Sequence, residues 1–406
     1  MTLTIRVLIG LLAGFLLGLT VRSHASAADA IASVLTPLGA IFVNLIRMTV
    51  VPLVVSLLIA SIGSTAASKG LGRIGLRALL IAIGLLTVAA IGSSVVAERV
   101  LANVSIDQAA ARALAGPAQA GTTGAAGAPS LAAWFVDLVP QNVVKAAADG
   151  AMLPLILFSV MFGLALAQVD QPKRDAVLRV VEGVADTMQR LVAHVMVMAP
   201  LGVFALAVPL ASRLGWTAAG AVVTYVGLVV SLTIVAAAVL LYPLGILAGP
   251  LSASAFLSYC APAQAIAFAS RSSLAALPAM VQSAERADLS TSARTVVLPL
   301  SAAVYHFGAA VAQTVGVVFL AHLYGTALTP LQHASIVLSV VLATFAVPGI
   351  PGGSIIAMVP ALAAANLPLD GIGILLAVDA IPDMFRTTAN VTGTMVLTAI
   401  LPDTRT

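Results

Sequence analysis

Long apolar segments follow one another along almost the whole chain, and short polar segments separate them. A helix needs roughly 20 mostly apolar residues to cross a bilayer. On that basis the pattern predicts eight membrane helices, at residues 4–21, 36–66, 76–100, 131–168, 180–212, 216–247, 293–323 and 370–401. Several of these segments exceed the bilayer thickness, so we expect tilt, kinks and short interfacial pieces, with the kinks at Pro52, Pro140, Pro154 and Pro200.

Two further apolar segments are interrupted in the middle and fit no simple span. Residues 251–286 are interrupted at Ser270–Ser273, and residues 333–366 contain the Pro- and Gly-rich stretch 347–354. Interrupted backbone at membrane depth is tolerated only where it is buried in protein or lines a wet cavity. A pair of such segments is typical of a transporter's binding site, so we predict two re-entrant helical hairpins. The alternative is an ordinary loop at each place.

The composition also indicates a membrane protein. Hydrophobic residues make up 61% of the 406 residues and charged residues 8%, with a mean hydropathy of +1.11. Soluble domains are about 45–50% apolar and about 25% charged, so this chain cannot cover itself with a hydrated surface. The net charge of +4 comes from scattered basic residues and does not indicate nucleic-acid binding. The single cysteine, Cys260, excludes an internal disulfide and a cysteine-based metal site.

The distribution of basic residues predicts the orientation in the bilayer. One side would hold Arg6, Lys69, Arg73, Arg77, Lys173, Arg174 and Arg179, and the other Arg22, Arg99, Arg112 and Arg213. Because cytoplasmic loops carry the excess of Lys and Arg, we expect a cytoplasmic N-terminus in a multi-pass protein of a bacterial inner membrane. The first apolar stretch resembles a signal peptide, but we expect it to remain as the first helix. The Ala-, Gly- and Thr-rich residues 101–130 predict a flexible external loop.

A polar stripe runs along the last predicted helix. Asp379, Asp383, Arg386 and Asn390 advance by four, three and four residues, which places them on one helical face with Thr387 beside them. The planar fork of an arginine matches a carboxylate, and an aspartate one turn away can accept a hydrogen bond from an ammonium group. The stripe therefore indicates an acidic amino acid as ligand. The alternative is an internal Asp383–Arg386 salt bridge that stabilises the bundle.

The two predicted hairpin tips supply the opposite side of such a site. Backbone N–H groups at a helix N-terminus and the hydroxyls within Ser270–Ser273 can bind a carboxylate. The second tip, Ile350–Ser354, contains glycines that permit unusual backbone conformations, so we expect it to act as a lid.

The other ionisable residues in apolar segments are interpreted as structural. Arg47 is expected to extend its guanidinium to the membrane interface. Two further sets have a spacing of four and lie on one helical face each, Glu182-Asp186-Arg190-His194 and Lys145-Asp149. We interpret both as contacts between subunits or domains, with a functional site as the less favoured alternative.

Five motifs along the chain are familiar in combination. They are Asn44–Pro52, Ala199–Ala205, Arg271–Ser273 followed by Leu277-Pro278, Gly349–Gly353 and Asp383–Gly393. With them the chain resembles the dicarboxylate/amino acid:cation symporter family, which includes the glutamate transporters. The likeness covers nearly the whole chain.

The resemblance implies an all-α membrane protein with eight transmembrane helices and two re-entrant hairpins, assembled as a homotrimer. It also implies a fixed scaffold and an elevator-like transport domain. The scaffold would comprise residues 1–75 and 131–215, and the transport domain residues 76–100 and 216–406, with hairpins at 251–286 and 333–366.

The resemblance further implies the residues that bind the substrate. Arg386 would hold the side-chain carboxylate, and Asp383 would hold the amino group. The full set is Arg271, Ser272, Ser273, Ile350, Pro351, Gly352, Asp383, Arg386, Thr387 and Asn390.

The chain departs from the family at the residues that bind sodium there. The family's seventh helix carries Asn-Met-Asp-Gly-Thr, where this chain has Tyr305–Ala309, and Thr394 replaces a further aspartate. Leu85 and Leu86 stand where hydroxyl ligands are expected. A hard cation needs oxygen ligands, so we expect proton coupling through His306, whose imidazole can titrate near neutral pH. Uncoupled or exchange transport and residual sodium coupling are the alternatives, as is a neutral, structural His306.

The sequence favours a symporter of glutamate or aspartate, without cofactor or resident metal, over other classes. A membrane enzyme would need a nucleophile–base pair or a metal cluster, and the five histidines and one cysteine form no such pattern. An anion channel or a sensor built on a transporter frame is another alternative. Dicarboxylates or neutral amino acids are alternative substrates, and no nucleotide-binding loop is present.

Overall fold

The computed structural model describes residues 3–67, 72–104, 131–290, 293–347 and 352–401. Within these ranges the regular structure is helical, and no strand occurs. The prediction of an all-α protein is therefore confirmed for the described part of the chain.

The first half of the chain contains long helices and a group of short ones. They are α1 (Leu3–Val21), α2 (Ala25–Ala67), α3 (Gly72–Leu101), α4 (Leu131–Asp137), α5 (Val143–Ala148), α6 (Met152–Leu166), α7 (Gln171–Val197) and α8 (Ala199–Leu214). Helix α2 begins well before the predicted residue 36 and continues through Pro52. The predicted linker at 101–130 lies almost wholly outside the described residues.

The segment predicted as one helix at 131–168 is broken twice, first around the predicted kink residue Pro140. The chain leaves α4 just before Pro140, and Asn142 then caps α5 by accepting from the backbone N–H of Lys145 at 3.0 Å. Gly150, with φ +67°, separates α5 from α6, a conformation that glycine adopts at little cost. Pro154 lies in the first turn of α6, where proline is tolerated, and produces no break.

The predicted helix at 180–212 is two helices. Helices α7 and α8 meet at Met198 and are bent by 58° relative to each other. Pro200 stands in the first turn of α8, so the proline marks the start of a new helix rather than a kink within one.

The second half of the chain contains the interrupted segments. Its helices are α9 (Trp216–Ala236), α10 (Tyr242–Ala248), α11 (Ala253–Ser270), α12 (Ser273–Arg286), α13 (Leu298–Val304), α14 (Phe307–Leu323), α15 (Pro330–Ala343), α16 (Gly353–Ile356), α17 (Val359–Ala364), α18 (Gly371–Val378) and α19 (Ala380–Ile400). A π-helical turn, Ala237–Leu241, joins α9 to α10.

Two helices that were predicted as continuous are interrupted inside this half. The segment 293–323 leaves the helical conformation at Tyr305 and His306, and the segment 370–401 has a turn at Asp379. Both predictions are corrected accordingly. These interruptions lie where α14 and α19 approach each other.

Length and composition allow four helices of the described chain to cross a membrane, or five when the bent pair α7–α8 is one span. The four are Asp29–Ser64, Arg77–Leu101, Gly220–Ala248 and Leu298–Leu323. Shorter apolar helices such as Ile5–Val21 fall below that length. The count of eight spans and the re-entrant position of α11–α12 and α15–α17 stay predictions.

The helices pack in two sets. Helices α1, α2, α6, α7 and α8 contact one another, while α3, α9 and α11–α19 form the second set around α14 and α19. In the Leu298–Leu323 span, 94% of an 18-residue apolar stretch is buried inside the protein. The sets meet where α8 packs on α18 and α9, and where α2 contacts the 3-10 turn Thr344–Ala346.

Close approach of α1 to α8 depends on three glycines spaced by four. A Cβ at Gly14 would lie 2.7 Å from the Phe204 carbonyl oxygen, and one at Gly18 would lie 2.5 Å from that of Val208. Gly10 faces the Pro200 carbonyl in the same way. Small residues at such a spacing let membrane helices pack backbone to backbone.

Candidate functional site

A cavity of about 280 Å³ lies between the two helix sets. The second set contributes most of its lining, from α12, α14's N-terminal end, the chain between α15 and α16, and α19. The first set contributes one residue each from α2 and α7. The lining residues are Leu57, Gln189, Arg271, Ser272, Ser273, Leu274, Ala302, His306, Val347, Ser354, Asp383, Arg386, Thr387 and Asn390.

A buried ion cluster forms one end of the cavity. Arg386 donates from Nη1 to Oδ1 of Asp379 at 2.8 Å and from Nη2 to Oδ2 of Asp379 at 3.0 Å. Its Nη2 also donates to Oδ1 of Asp383 at 2.6 Å. The guanidinium is 2% exposed and the two aspartates 4% and 6%. Paired charges are what a low-dielectric site tolerates, since an unpaired buried charge is strongly unfavourable.

The turn at Asp379 makes this cluster possible. Asp379 ends α18 and Arg386 lies two turns into α19, seven residues later. The interruption places both oxygens of the Asp379 carboxylate against the planar fork of the guanidinium. The Asp383–Arg386 salt bridge, which was the alternative interpretation of the sequence, is therefore present. Arg386 makes two hydrogen bonds to Asp379 and one to Asp383.

Thr387 and Asn390 continue the polar stripe along the cavity. The Thr387 hydroxyl donates to Oδ1 of Asp383 at 3.3 Å. Oδ1 of Asn390 accepts from the backbone N–H groups of Gly308 at 2.7 Å and Ala309 at 3.3 Å, which caps the start of α14. The amide NH₂ of Asn390 can then donate toward the cavity.

The connection between α11 and α12 forms the facing wall. Arg271 adopts a left-handed conformation with φ +54°, and Ser272 caps α12 by accepting from the backbone N–H of Ala275 at 3.2 Å. The 14-residue helix α12 thus begins at the cavity with Ser273. Such an N-terminus favours an anion.

His306 also lines the cavity, in the break between α13 and α14. Its Nδ1 is 2.9 Å from the carbonyl oxygen of Thr344, so Nδ1 carries the hydrogen and donates. The side chain is 8% exposed. His306 thereby joins the α13–α14 break to the segment that leads from α15 to α16.

The residues beside His306 are apolar or aromatic. Tyr305 and Phe307 are buried, and the Tyr305 ring occupies the space beside Gly393 of α19. The side chain of Phe307 has no oxygen to offer a hard cation. Within the described residues, no group of three or more His, Cys, Asp or Glu side chains could hold a metal ion.

Most of the residues assigned from the sequence lie together in this cavity. Those that line it are Arg271, Ser272, Ser273, His306, Asp383, Arg386, Thr387 and Asn390. Ile350 and Pro351 lie outside the described residues. Gly352, with φ +76°, precedes α16 and is not among the lining residues, whereas Ser354 two positions later is.

Sequence reasoning did not include three residues near the cavity among the substrate-binding residues. Asp379 was part of the predicted stripe, and its spacing of seven from Arg386 was the available signal. Ser354 lay within the second predicted tip. Gln189, on α7, gave no signal because a single glutamine in an amphipathic helix resembles any other exposed polar position.

The other ionisable residues interpreted from the sequence do not line the cavity. Lys145 and Asp149 form an ion pair at 3.1 Å, with side chains 75% and 58% exposed. The four α7 residues Glu182, Asp186, Arg190 and His194 are exposed on the chain surface, as is Arg47 on α2. The interpretation of the two sets as contacts between subunits or domains, and of Arg47 as reaching the membrane interface, stays a prediction.

The chain is similar to several characterised transporters along most of its length. It is 30% identical to the "Proton/glutamate-aspartate symporter" of Escherichia coli (strain K12), over 96% of this chain and 89% of that protein. It is 28% identical to the "Proton/sodium-glutamate symport protein" of Bacillus subtilis (strain 168), over 98% and 92%. The "C4-dicarboxylate transport protein" of Anaeromyxobacter sp. (strain K) is 29% identical, over 88% and 81%.

These relatives are transporters rather than enzymes, and the family match agrees with them. The model of the sodium:dicarboxylate symporter family matches residues 3–403, which includes both interrupted helices and every described residue of the cavity. The chain belongs to the sodium:dicarboxylate symporter family.

Proposed function

We propose that this protein is a secondary active transporter of an acidic amino acid, glutamate or aspartate. The observation that carries the proposal is the cavity in which Arg386 and Asp383 face the Arg271–Ser273 connection. An acidic amino acid has two carboxylates and one ammonium group, which these two walls can bind. The cavity volume of about 280 Å³ lies just below the roughly 300–1,000 Å³ of pockets for drug-sized ligands, which suits a small metabolite.

Each charged group has a definable role in this proposal. A guanidinium has five N–H donors, and the bonds to Asp379 and Asp383 use three, so the others can reach a substrate carboxylate. Asp383 accepts from the substrate ammonium. Asp379 fixes the plane of the guanidinium and is a positioning residue.

The charge of the empty cavity bears on what is transported with the substrate. Two cationic side chains, Arg271 and Arg386, stand against two carboxylates, Asp379 and Asp383, so the sum is zero when His306 is neutral. An acidic amino acid adds one negative charge in a low-dielectric site. One proton on His306 restores neutrality, which supports proton coupling.

The helix packing supports an elevator mechanism. The set α3, α9 and α11–α19 would be the moving transport domain, and α1, α2, α6, α7 and α8 the scaffold. The cavity touches the scaffold set only through Leu57 and Gln189, so sliding would break few contacts to the site. Homotrimeric assembly in a bacterial inner membrane, with the N-terminus in the cytoplasm, belongs to the same proposal.

Transport of C4-dicarboxylates is the second candidate, and the name of the Anaeromyxobacter relative favours it. The two candidates differ at Asp383, because a dicarboxylate has no ammonium group for that carboxylate to bind. Uptake of labelled aspartate, glutamate and succinate into proteoliposomes tests both. Uptake of either amino acid that is stronger than that of succinate supports the first candidate, and the reverse order would replace it with the second.

A further inference from the structure

A polar contact outside the cavity joins α3 to α15. Ser94 and Glu98, one turn apart on α3, both face His333 in the first turn of α15. Ser94 Oγ lies 2.8 Å from Nδ1 of His333, and Nε2 of His333 lies 3.5 Å from Oε2 of Glu98. Ser94 and His333 are 239 residues apart in the sequence, so the fold itself brings this trio together.

The environment of His333 differs at its two ring nitrogens. Ser94 is 3% exposed, whereas the Glu98 side chain is 57% exposed and that of His333 is 21% exposed. Nε2 of His333 is nevertheless buried and makes no hydrogen bond, although the Glu98 carboxylate is near. Nε2 thus lies 3.5 Å from a carboxylate oxygen, and an N–H at this nitrogen would have a charged acceptor beside it.

Ser94 suits both protonation states of the ring. A hydroxyl can donate one hydrogen bond and accept two. It can donate to Nδ1 of a neutral imidazole and accept from Nδ1–H of an imidazolium. The contact to Ser94 therefore survives the gain of a proton, while the attraction to Glu98 increases with it.

Few other ionisable groups compete in this region. Besides the 3-10 turn Thr344–Ala346, helices α3, α6, α14 and α17 are the main elements packed on α15. Of these elements, the 3-10 turn, α6 and α17 contain no ionisable residue. Helix α14 contains one, His322, and its Nε2 lies 2.9 Å from the backbone carbonyl oxygen of Val104. Helix α3 carries Glu98 with the exposed Arg99 beside it, and its other arginines lie at its opposite end.

We infer that His333, Glu98 and Ser94 form a proton-binding site, separate from the substrate cavity, that fastens the first arm of the second hairpin to α3. Helix α15 leads directly into Thr344, whose carbonyl accepts from His306, and into Val347 and Ser354 at the cavity. A proton on His333 thus restrains the arm that carries these groups. The site stands on its own contacts and does not depend on which solute is carried.

The test is a double-mutant cycle on the purified full-length protein at two pH values. The variants are His333→Gln, Glu98→Gln and the double variant, each melted at pH 5.5 and pH 8.5. An imidazole ordinarily gains its proton between pH 5 and 8, so we expect a coupling of about 1–3 °C in Tm at pH 5.5 and none at pH 8.5. If the two substitutions are equally coupled at both pH values, or not coupled at either, His333 and Glu98 do not form a proton-binding site.

One control variant and one single variant keep the result interpretable. Arg99→Gln removes an exposed charge one residue from Glu98, and its effect on Tm should not depend on His333 at either pH. If His333→Gln does not fold, Glu98→Gln alone still tests the site, because it should lower Tm at pH 5.5 and leave it unchanged at pH 8.5. Faster hydrogen exchange of the α15 amides in Glu98→Gln at the acidic pH is expected as well, and unchanged exchange there would count against the restraint.

Discussion

Two regions of the cavity lining differ in the kind of group that they present. In the first, Arg386, Asp379 and Asp383 are joined by three charge-assisted hydrogen bonds. In the second, His306 stands between buried aromatic residues and donates from Nδ1 to the backbone carbonyl of Thr344. Under the proposed function, recognition and coupling are assigned to separate residues in this chain. Substitutions should therefore affect one without the other.

Arg386→Ala should produce the largest loss of substrate binding. Removal of a desolvated charge partner typically costs about 2–5 kcal/mol, which is more than tenfold in affinity. We expect aspartate binding, measured by calorimetry, to fall by at least that factor. Unchanged binding would show that the substrate carboxylate is held elsewhere and that the recognition role of Arg386 is assigned wrongly.

A control is needed because Arg386→Ala also leaves Asp379 and Asp383 without their counter-charge, which destabilises a buried cluster. Arg386→Lys keeps the positive charge but loses the planar fork. It should retain the Tm of the wild type more closely than Arg386→Ala, and still bind aspartate more than tenfold more weakly.

Asp383→Asn should weaken amino acids more than dicarboxylates. The substitution removes the acceptor for an ammonium group while the amide keeps a hydrogen bond to Arg386 or Thr387 within reach. Competition of labelled aspartate by unlabelled glutamate and by succinate measures the difference. If both competitors lose affinity by the same factor, Asp383 acts on Arg386 alone and the amino-acid proposal weakens.

Gly308→Ala should destabilise the protein where the start of α14 packs against the backbone of Arg386. A Cβ at this position would collide with the backbone carbonyl of Arg386, at the point where Asn390 caps α14. Overpacking of this kind costs about 1–3 kcal/mol. We expect a lower Tm together with weaker binding, whereas Gly84→Ala, which has open space around it inside α3, should leave binding unchanged and should not lower Tm.

His306→Gln should have the smallest effect on binding and a selective effect on transport. Glutamine can still donate to the Thr344 carbonyl but cannot carry a proton charge. The pH dependence of aspartate uptake should flatten, while the Kd measured at pH 8 changes less than threefold. Retention of the full pH dependence would remove His306 from the coupling role.

The sequence predicted the side chains of the site better than the backbone that positions them. Helical spacing placed Asp383, Arg386 and Asn390 on one face, because a period of 3.6 residues is a local property. The breaks at Tyr305-His306 and at Asp379 were missed. They depend on contacts across the fold, such as the Asn390 amide on the backbone of Gly308, and hydropathy does not register them.

The helix boundaries likewise show that breaks in the backbone were harder to predict than the pattern of side chains. Pro140 and Gly150 marked real interruptions between α4, α5 and α6, yet the uniform apolar composition of 131–168 favoured one long helix. Apolar segments in a membrane protein satisfy the hydropathy pattern whether or not they are broken, because a neighbouring helix can complete the hydrogen bonds of the backbone.

Uptake of labelled aspartate into proteoliposomes, at fixed membrane potential and with proton and sodium gradients imposed independently, tests the central claim most directly. The account predicts uptake that rises with an inward proton gradient and does not change when sodium is replaced by potassium. Steep sodium dependence at constant pH would contradict it. That result would mean that backbone carbonyls around Gly308 and Asn390 build a cation site despite Tyr305 and Phe307.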